Sequence, residues 1–168
     1  GPDYQYGYGS VRIQSAIDLM RAGRFLEDSI SQSGVYRVFV VVNPGDPQLK
    51  VTLAWDDPPG TPNVSPVLVN DVDLVVLDPI GNQKFPWTLG GLHNPTVLAM
   101  QTQKNSVDNI EQVVVNSPTA GLYRVEVRGF SVPQGPQPFS LCASPTLVNC
   151  SRIGYATLDR TQYGCSTT

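Results

Sequence analysis

The 168-residue sequence predicts an all-β fold with one short amphipathic helix in front of it. Three observations point there. The chain holds 15 Gly and 15 Pro, a proline share above the usual one, which suits short strands and turns better than a helical bundle. Stretches rich in Val, Ile, Tyr and Phe recur along it, each bounded by Gly, Pro, Asn, Asp or Ser. No helical periodicity alternates with them, as a parallel α/β sheet would require. With 40% hydrophobic residues, the chain has enough apolar material for a packed core.

Residues 10–22 read as the helix. Ile13, Ala16, Ile17 and Met20 follow the i, i+3, i+4, i+7 spacing of one apolar face. Ser10 is the expected N-cap and Gly23 the expected C′ residue. No other segment offers this helix a helical partner, so it reads as a piece of something larger. From Arg24 onward the period changes to two. "RFLEDSI" alternates weakly, "GVYRVFVVV" is β-branched and aromatic, and "LKVTLAW" sets Leu49, Val51, Leu53 and Trp55 against Lys50, Thr52 and Ala54. "DDPPGTPNVSP" is loop, "VLVNDVDLVVL" a strand and "DPIGN" a turn. Residues 85–105, with Pro86, Gly90, Gly91 and Pro95, form a long loop. "IEQVVVN", "GLYRVEVRGF" and "QPFSLCAS" are three more strands. In the second of these, Tyr123, Val125 and Val127 face one way and Arg124, Glu126 and Arg128 the other. Six to eight strands at this spacing make an antiparallel jelly-roll β-sandwich over residues 24–146. In the tail, 147–168, "RIGYATLDRTQYGC" reads as a strand, a turn around Asp159 and a second strand, the opening of a further β-domain.

Charge and cysteines narrow the setting. The net charge is −3 with scattered Lys and Arg, which gives no nucleic-acid footprint. No apolar run is long enough for a membrane-spanning helix. Cys142, Cys150 and Cys165 cluster at the C-terminal end without the short spacing of a zinc site. Such clustering suits an oxidising, extracellular compartment. Three pairings are open; Cys150 and Cys165 flank the tail hairpin and are the expected bridge, with Cys142 as a buried thiol.

No catalytic constellation is visible. His93 is the only histidine and sits in a Gly/Pro-rich loop, so a Ser-His-Asp arrangement has no base to draw on except a solvated loop residue. Trp55 and Trp87 could stack on sugar rings, but Trp55 in "LAW" reads first as core. The exception is acidic. Asp71 and Asp73 lie two apart in an apolar strand, so both project from one face, about 7 Å apart at the backbone. Like charges so placed repel. Asp108, Asn109 and Glu111 precede or open the next strand, and Asp56 and Asp57 end "LAW". If these strands meet at one rim, Asp71, Asp73, Asp108, Asn109 and Glu111 supply the hard oxygen ligands that calcium takes, and an ion would turn the repulsion into attraction. The plain reading, separate rim carboxylates in water, stands equally beside it.

"PDYQYGYGSVRIQSAIDLM" resembles the last segment of the catalytic domain in subtilisin-like serine proteases, where a Gly-Tyr-Gly turn leads into the final helix. "LKVTLAWDDPPG", "VLVNDVDLVVLDPIGN" and "NIEQVVVNSPTAGLYRVEVRGFSVPQGPQPFSL" resemble the C-terminal jelly-roll domain that follows it in one secreted bacterial branch. The resemblance covers residues 2–144. It implies that residues 1–23 are the end of a catalytic domain and that the sandwich is its secreted, non-catalytic accessory domain. That domain would stabilise or position its upstream partner, with calcium as a possible cofactor and protein or peptide as the parent protease's substrate. The family's Asp, His and Ser motifs are not in these residues, so no catalytic residue carries over, and this chain alone is expected to be inactive. Residues 85–105 depart from the Asn/Asp-rich loop usual in the family. The alternative is an independent extracellular binding or adhesion module, lectin-like in character.

Overall fold

The computed structural model describes residues 1–64, 67–90 and 95–148, together with the backbone of residues 156–158 and 165–167. His93, Cys150 and the expected Cys150–Cys165 bridge lie outside the described residues.

The helix, α1, runs Ile13–Arg21. It starts later than the sequence suggests. Arg12 is the N-cap and no side chain closes it, so Ser10 plays no capping part. The C-terminal end follows expectation. Gly23 has φ +65°, its N–H binds the Met20 carbonyl, and the Arg24 N–H binds that of Leu19. That bond pair is a Schellman motif, which only a left-handed residue such as Gly closes without strain.

The strands follow in chain order: β1 (Phe25–Ile30), β2 (Val35–Val42), β3 (Gln48–Ala54), β4 (Asp71–Leu77), β5 (Gln83–Lys84), β6 (Ile110–Asn116), β7 (Gly121–Ser131), β8 (Gln137–Ser144), β9 (Thr146–Val148), β10 (Ala156–Leu158) and β11 (Cys165–Thr167). One sheet has the order β1-β8-β3-β6, the other β5-β4-β7-β2-β9, and among the described residues β10 and β11 form a two-stranded sheet. All pairings are antiparallel, and four of them nest: β1 with β8, β2 with β7, β3 with β6, β4 with β5. A long hairpin rolled up on itself gives this nesting, which is the jelly roll.

Period two places the core. Val38, Val40 and Val42 of β2 are buried, as are Leu49, Val51 and Leu53 of β3 and Val72, Leu74 and Val76 of β4. Their neighbours in the same two sheets complete the core: Tyr123, Val125 and Val127 of β7, and Phe139, Leu141 and Ala143 of β8. Each large side chain buried this way contributes about 1.5–3 kcal/mol relative to leaving it in water. Trp55 joins this core, as its sequence context suggests, and its indole N–H donates to the Asn70 carbonyl at 3.1 Å.

Two departures bear on the site. β4 begins at Asp71, four residues after the apolar run opens at Val67, because the Val69 and Asn70 N–H groups donate to the Asp57 carboxylate at 2.7 and 2.8 Å. The chain is tied to a side chain there, not to a neighbouring strand. In addition, β5 pairs only with Val76 and Leu77, so the front half of β4 has one uncovered edge. The long loop that follows β5 is stitched rather than shapeless. Thr88 and Met100 exchange two backbone bonds, and Gln101 both donates to and accepts from Val114 of β6, at 2.9 and 3.0 Å.

Candidate functional site

The uncovered edge of β4 is where the acidic residues gather. Alternation sends Val72 and Leu74 into the core and Asp71 and Asp73 to the opposite face of the sheet. The register against β7 slips between Asp71 and Val72: Asp71 pairs with Ser131 and Val72 with Gly129, leaving Phe130 as the extra residue of a bulge. Lys104, on the stitched loop, reaches over this point. Its ammonium is 3.7 Å from Asp71 Oδ2, 3.6 Å from Asp73 Oδ1 and 3.1 Å from the Phe130 ring centroid. Two carboxylates and an aromatic face thus surround one cation.

Glu111 arrives from the other sheet. It is the second residue of β6, fully buried, and its Oε2 accepts the Leu74 N–H at 2.6 Å. The carboxyl takes the backbone donor that a longer β5 would have taken, and so joins the edges of the two sheets. Three buried oxygens nearby have no hydrogen-bond partner: Asp71 Oδ1, Asp73 Oδ1 and Glu111 Oε1. Burial above all pushes Glu111 up to about 9, against the Leu74 N–H, with Asp73 and Asp71 adding to the rise. Asp73 is also raised, by burial first; Lys104 opposes the shift and Asp71 reinforces it. A carboxyl titrating near 9 holds its proton at neutral pH, leaving Asp71 and Asp73 to face Lys104.

The other predicted ligands are engaged elsewhere. Asp108 accepts the Asn105 side-chain amide at 2.8 Å, and Asn109 donates to the Trp55 carbonyl at 2.7 Å. Asp57 is the backbone clamp described above, and Asp56 is exposed. Among the described residues, no three or more His, Cys, Asp or Glu side chains form a ready-made metal cage. Tyr8 reaches the same region from the leading segment, its hydroxyl donating to the Ile110 carbonyl at 3.4 Å. Burial, then Asp108 and Glu111, push that hydroxyl up to about 12.

Lys104 is the residue that sequence reasoning passed over. A signal was present: it is the only Lys or Arg between Lys84 and Arg124, the stretch that carries Asp108 and Glu111. Beside it lies a surface cleft of about 550 Å³, lined by Tyr4, Thr88, Leu89, Lys104, Asn105 and Asp108 among others. A second cleft, of about 510 Å³, lies against Trp55, Asp56, Asn109 and Phe139 and touches none of the three unpartnered oxygens. Cys142 is a free thiol, half-buried rather than buried. Alternation in β8 explains this: Leu141 and Ala143 take the core, so Cys142 faces outward.

No protein-family model matches the chain. It is similar to the serine protease/ABC transporter B family protein tagB of Dictyostelium discoideum, with 33% identity over 101 residues. The match takes in 56% of this chain, which spans about 5% of that protein's length. The likeness therefore ties the chain, distantly, to a serine-protease-bearing protein.

Proposed function

We propose that this chain is the non-catalytic C-terminal accessory domain of a secreted subtilisin-like serine endopeptidase, stabilising or positioning a catalytic domain ahead of it that cleaves protein or peptide. The observation that carries this reading is α1. None of its residues is buried, and Ile13, Ile17 and Met20 are 70%, 37% and 58% exposed on a single face. A nine-residue helix is marginal by itself in water, and an apolar stripe left open marks a surface built for a partner. The relation to a serine-protease-bearing protein supports the kind of partner. A free adhesion module would have no use for this stripe. The test is hydrogen exchange on the chain alone and on a longer chain that includes the sequence encoded upstream. In the short chain α1 should exchange within the fastest class, and in the long chain it should be protected. Protection equal to that of β3 in a monomeric short chain would overturn the reading.

We also propose that Asp71, Asp73 and Glu111 take up calcium. The fit rests on their three buried carboxyl oxygens without a hydrogen-bond partner, since calcium is bound by carboxylate oxygens. Asp108 and Asn109 would have to give up their present hydrogen bonds to join. The ion would supply the positive charge that lets all three carboxylates ionise together. Binding adds stability as RT ln(1 + [L]/Kd), about 2.7 kcal/mol at a hundredfold excess over Kd. The melting temperature should therefore fall in EDTA and recover with calcium more than with magnesium, and Asp73→Asn should blunt the response. Identical melting curves in EDTA and in millimolar calcium would overturn the calcium reading and leave Lys104, with Arg128 behind it, to balance the cluster's charge.

A further inference from the structure

We infer that Lys104 is a built-in competitor for the cation at Asp71, Asp73 and Glu111, and that a divalent ion enters by displacing its ammonium group. This rests on the calcium reading and adds an internal rival to it. The ammonium neutralises without binding closely. Its contacts of 3.7 and 3.6 Å are well outside the 2.7–2.9 Å of a charge-assisted hydrogen bond. With the lysine in place Asp71 Oδ1 and Glu111 Oε1 still have no hydrogen-bond partner and Asp73 Oδ1 has only the 3.6 Å ion pair, so one ammonium does not satisfy the site. A calcium ion would bring twice the charge and ligand distances of about 2.3–2.6 Å.

The loop is built so that the side chain can leave while the backbone stays. Gln101 is paired on both sides of its amide to Val114. Asn105, on the other flank, is buried; its side chain donates to the Trp87 carbonyl and Asp108 and accepts from the Val107 and Asp108 N–H groups. Between these two pins the Lys104 side chain is 42% exposed and borders the 550 Å³ cleft. Rotation of one flexible, strongly hydrated side chain into that cleft frees both aspartates. The Phe130 ring holds the ammonium in the closed arrangement and offers nothing to a calcium ion's oxygen shell.

The experiment compares calcium titration by calorimetry, at one pH and salt concentration, for the native chain, Lys104→Met and Lys104→Arg. Lys104→Met keeps the length and removes the charge, and should bind calcium about tenfold or more tightly than the native chain, the scale expected for releasing two ion-pair contacts. Lys104→Arg should stay near the native value. A second readout uses the native chain alone: acylation of Lys104 by a dilute amine-reactive ester, mapped by mass spectrometry, should rise when calcium is added. It also serves if Lys104→Met fails to fold. Binding only by Lys104→Met would support the competition in its strongest form. Equal affinity in the native chain and Lys104→Met, with acylation unchanged by calcium, would overturn the competition and leave the calcium reading intact. No calcium binding by either chain would overturn both.

Discussion

Glu126 shows how little a side chain's facing direction reveals about its surroundings. Alternation in "YRVEVRG" sends it to the outer face, yet it is 2% exposed because Arg37, Arg124 and Arg128 close over it. Burial alone would raise its pKa, but hydrogen bonds from Arg128 and Arg37 and the charge of Arg124 outweigh that and hold it below the ordinary value. A depressed carboxylate adds stability that is present above the unfolded-state value and lost as pH falls through the folded one. Glu126→Gln should therefore lose about 1.5–3 kcal/mol at pH 7, the scale of hydrogen bonds to a charged acceptor. The gap to the native chain should close as pH drops below the usual 4.5 of a glutamate. Urea unfolding at pH 7 and pH 3 measures this, and an equal gap at both pH values would mean that packing, not charge, is at stake. The same limit governs the acidic cluster. The shared face of Asp71 and Asp73 was legible because it follows from a two-residue spacing alone. Their contact with Lys104 was not, because a loop contact across thirty-odd residues leaves no periodic trace.

Among the elements, the strands were readable to within a residue wherever the apolar run and the hydrogen-bonded run coincide. "IEQVVVN" and "QPFSLCAS" are β6 and β8 to the residue. Sequence pattern and structure part where a side chain intercepts the backbone or a register slips. β4 starts late because Asp57 captures two N–H groups that would otherwise seek a strand. The bulge at Phe130 is silent in the sequence, since ordinary alternation puts Phe130 on the outer face too. It shows itself only against β4, where it turns an aromatic ring toward Lys104. At α1 the sequence predicts the end and not the start. A Gly at C′ is nearly compulsory for the Schellman closure, whereas a Ser before an apolar face is only one of several ways to begin. In the tail, β10 and β11 pair antiparallel, as the strand–turn–strand pattern of the sequence predicts for its two strands.

For the molecule as a whole, the sandwich class followed from strand count and spacing, but the nesting did not, since β1 and β8 lie more than a hundred residues apart and nothing local names them as partners. That nesting makes the two ends of the sandwich unequal. β8 lies between β1 and β3 and brings Phe139, Leu141 and Ala143 into the core. Without it β1 has no partner, β3 loses one edge and the long-range closure has no return. β9, by contrast, adds three residues to the edge of β2, with Leu147 only partly buried against the core. A chain ending at Ser144 should therefore keep a cooperative urea transition and a native near-ultraviolet dichroism spectrum. Its stability should fall by about 1–2 kcal/mol, the order of one partly buried leucine and a short edge ladder. A chain ending at Gly135 should show neither a cooperative transition nor tertiary dichroism. An unfolded Ser144 chain would place the tail inside the folding unit; a cooperative Gly135 chain would show that the fold closes without its last nested strand, against the order of pairings seen here.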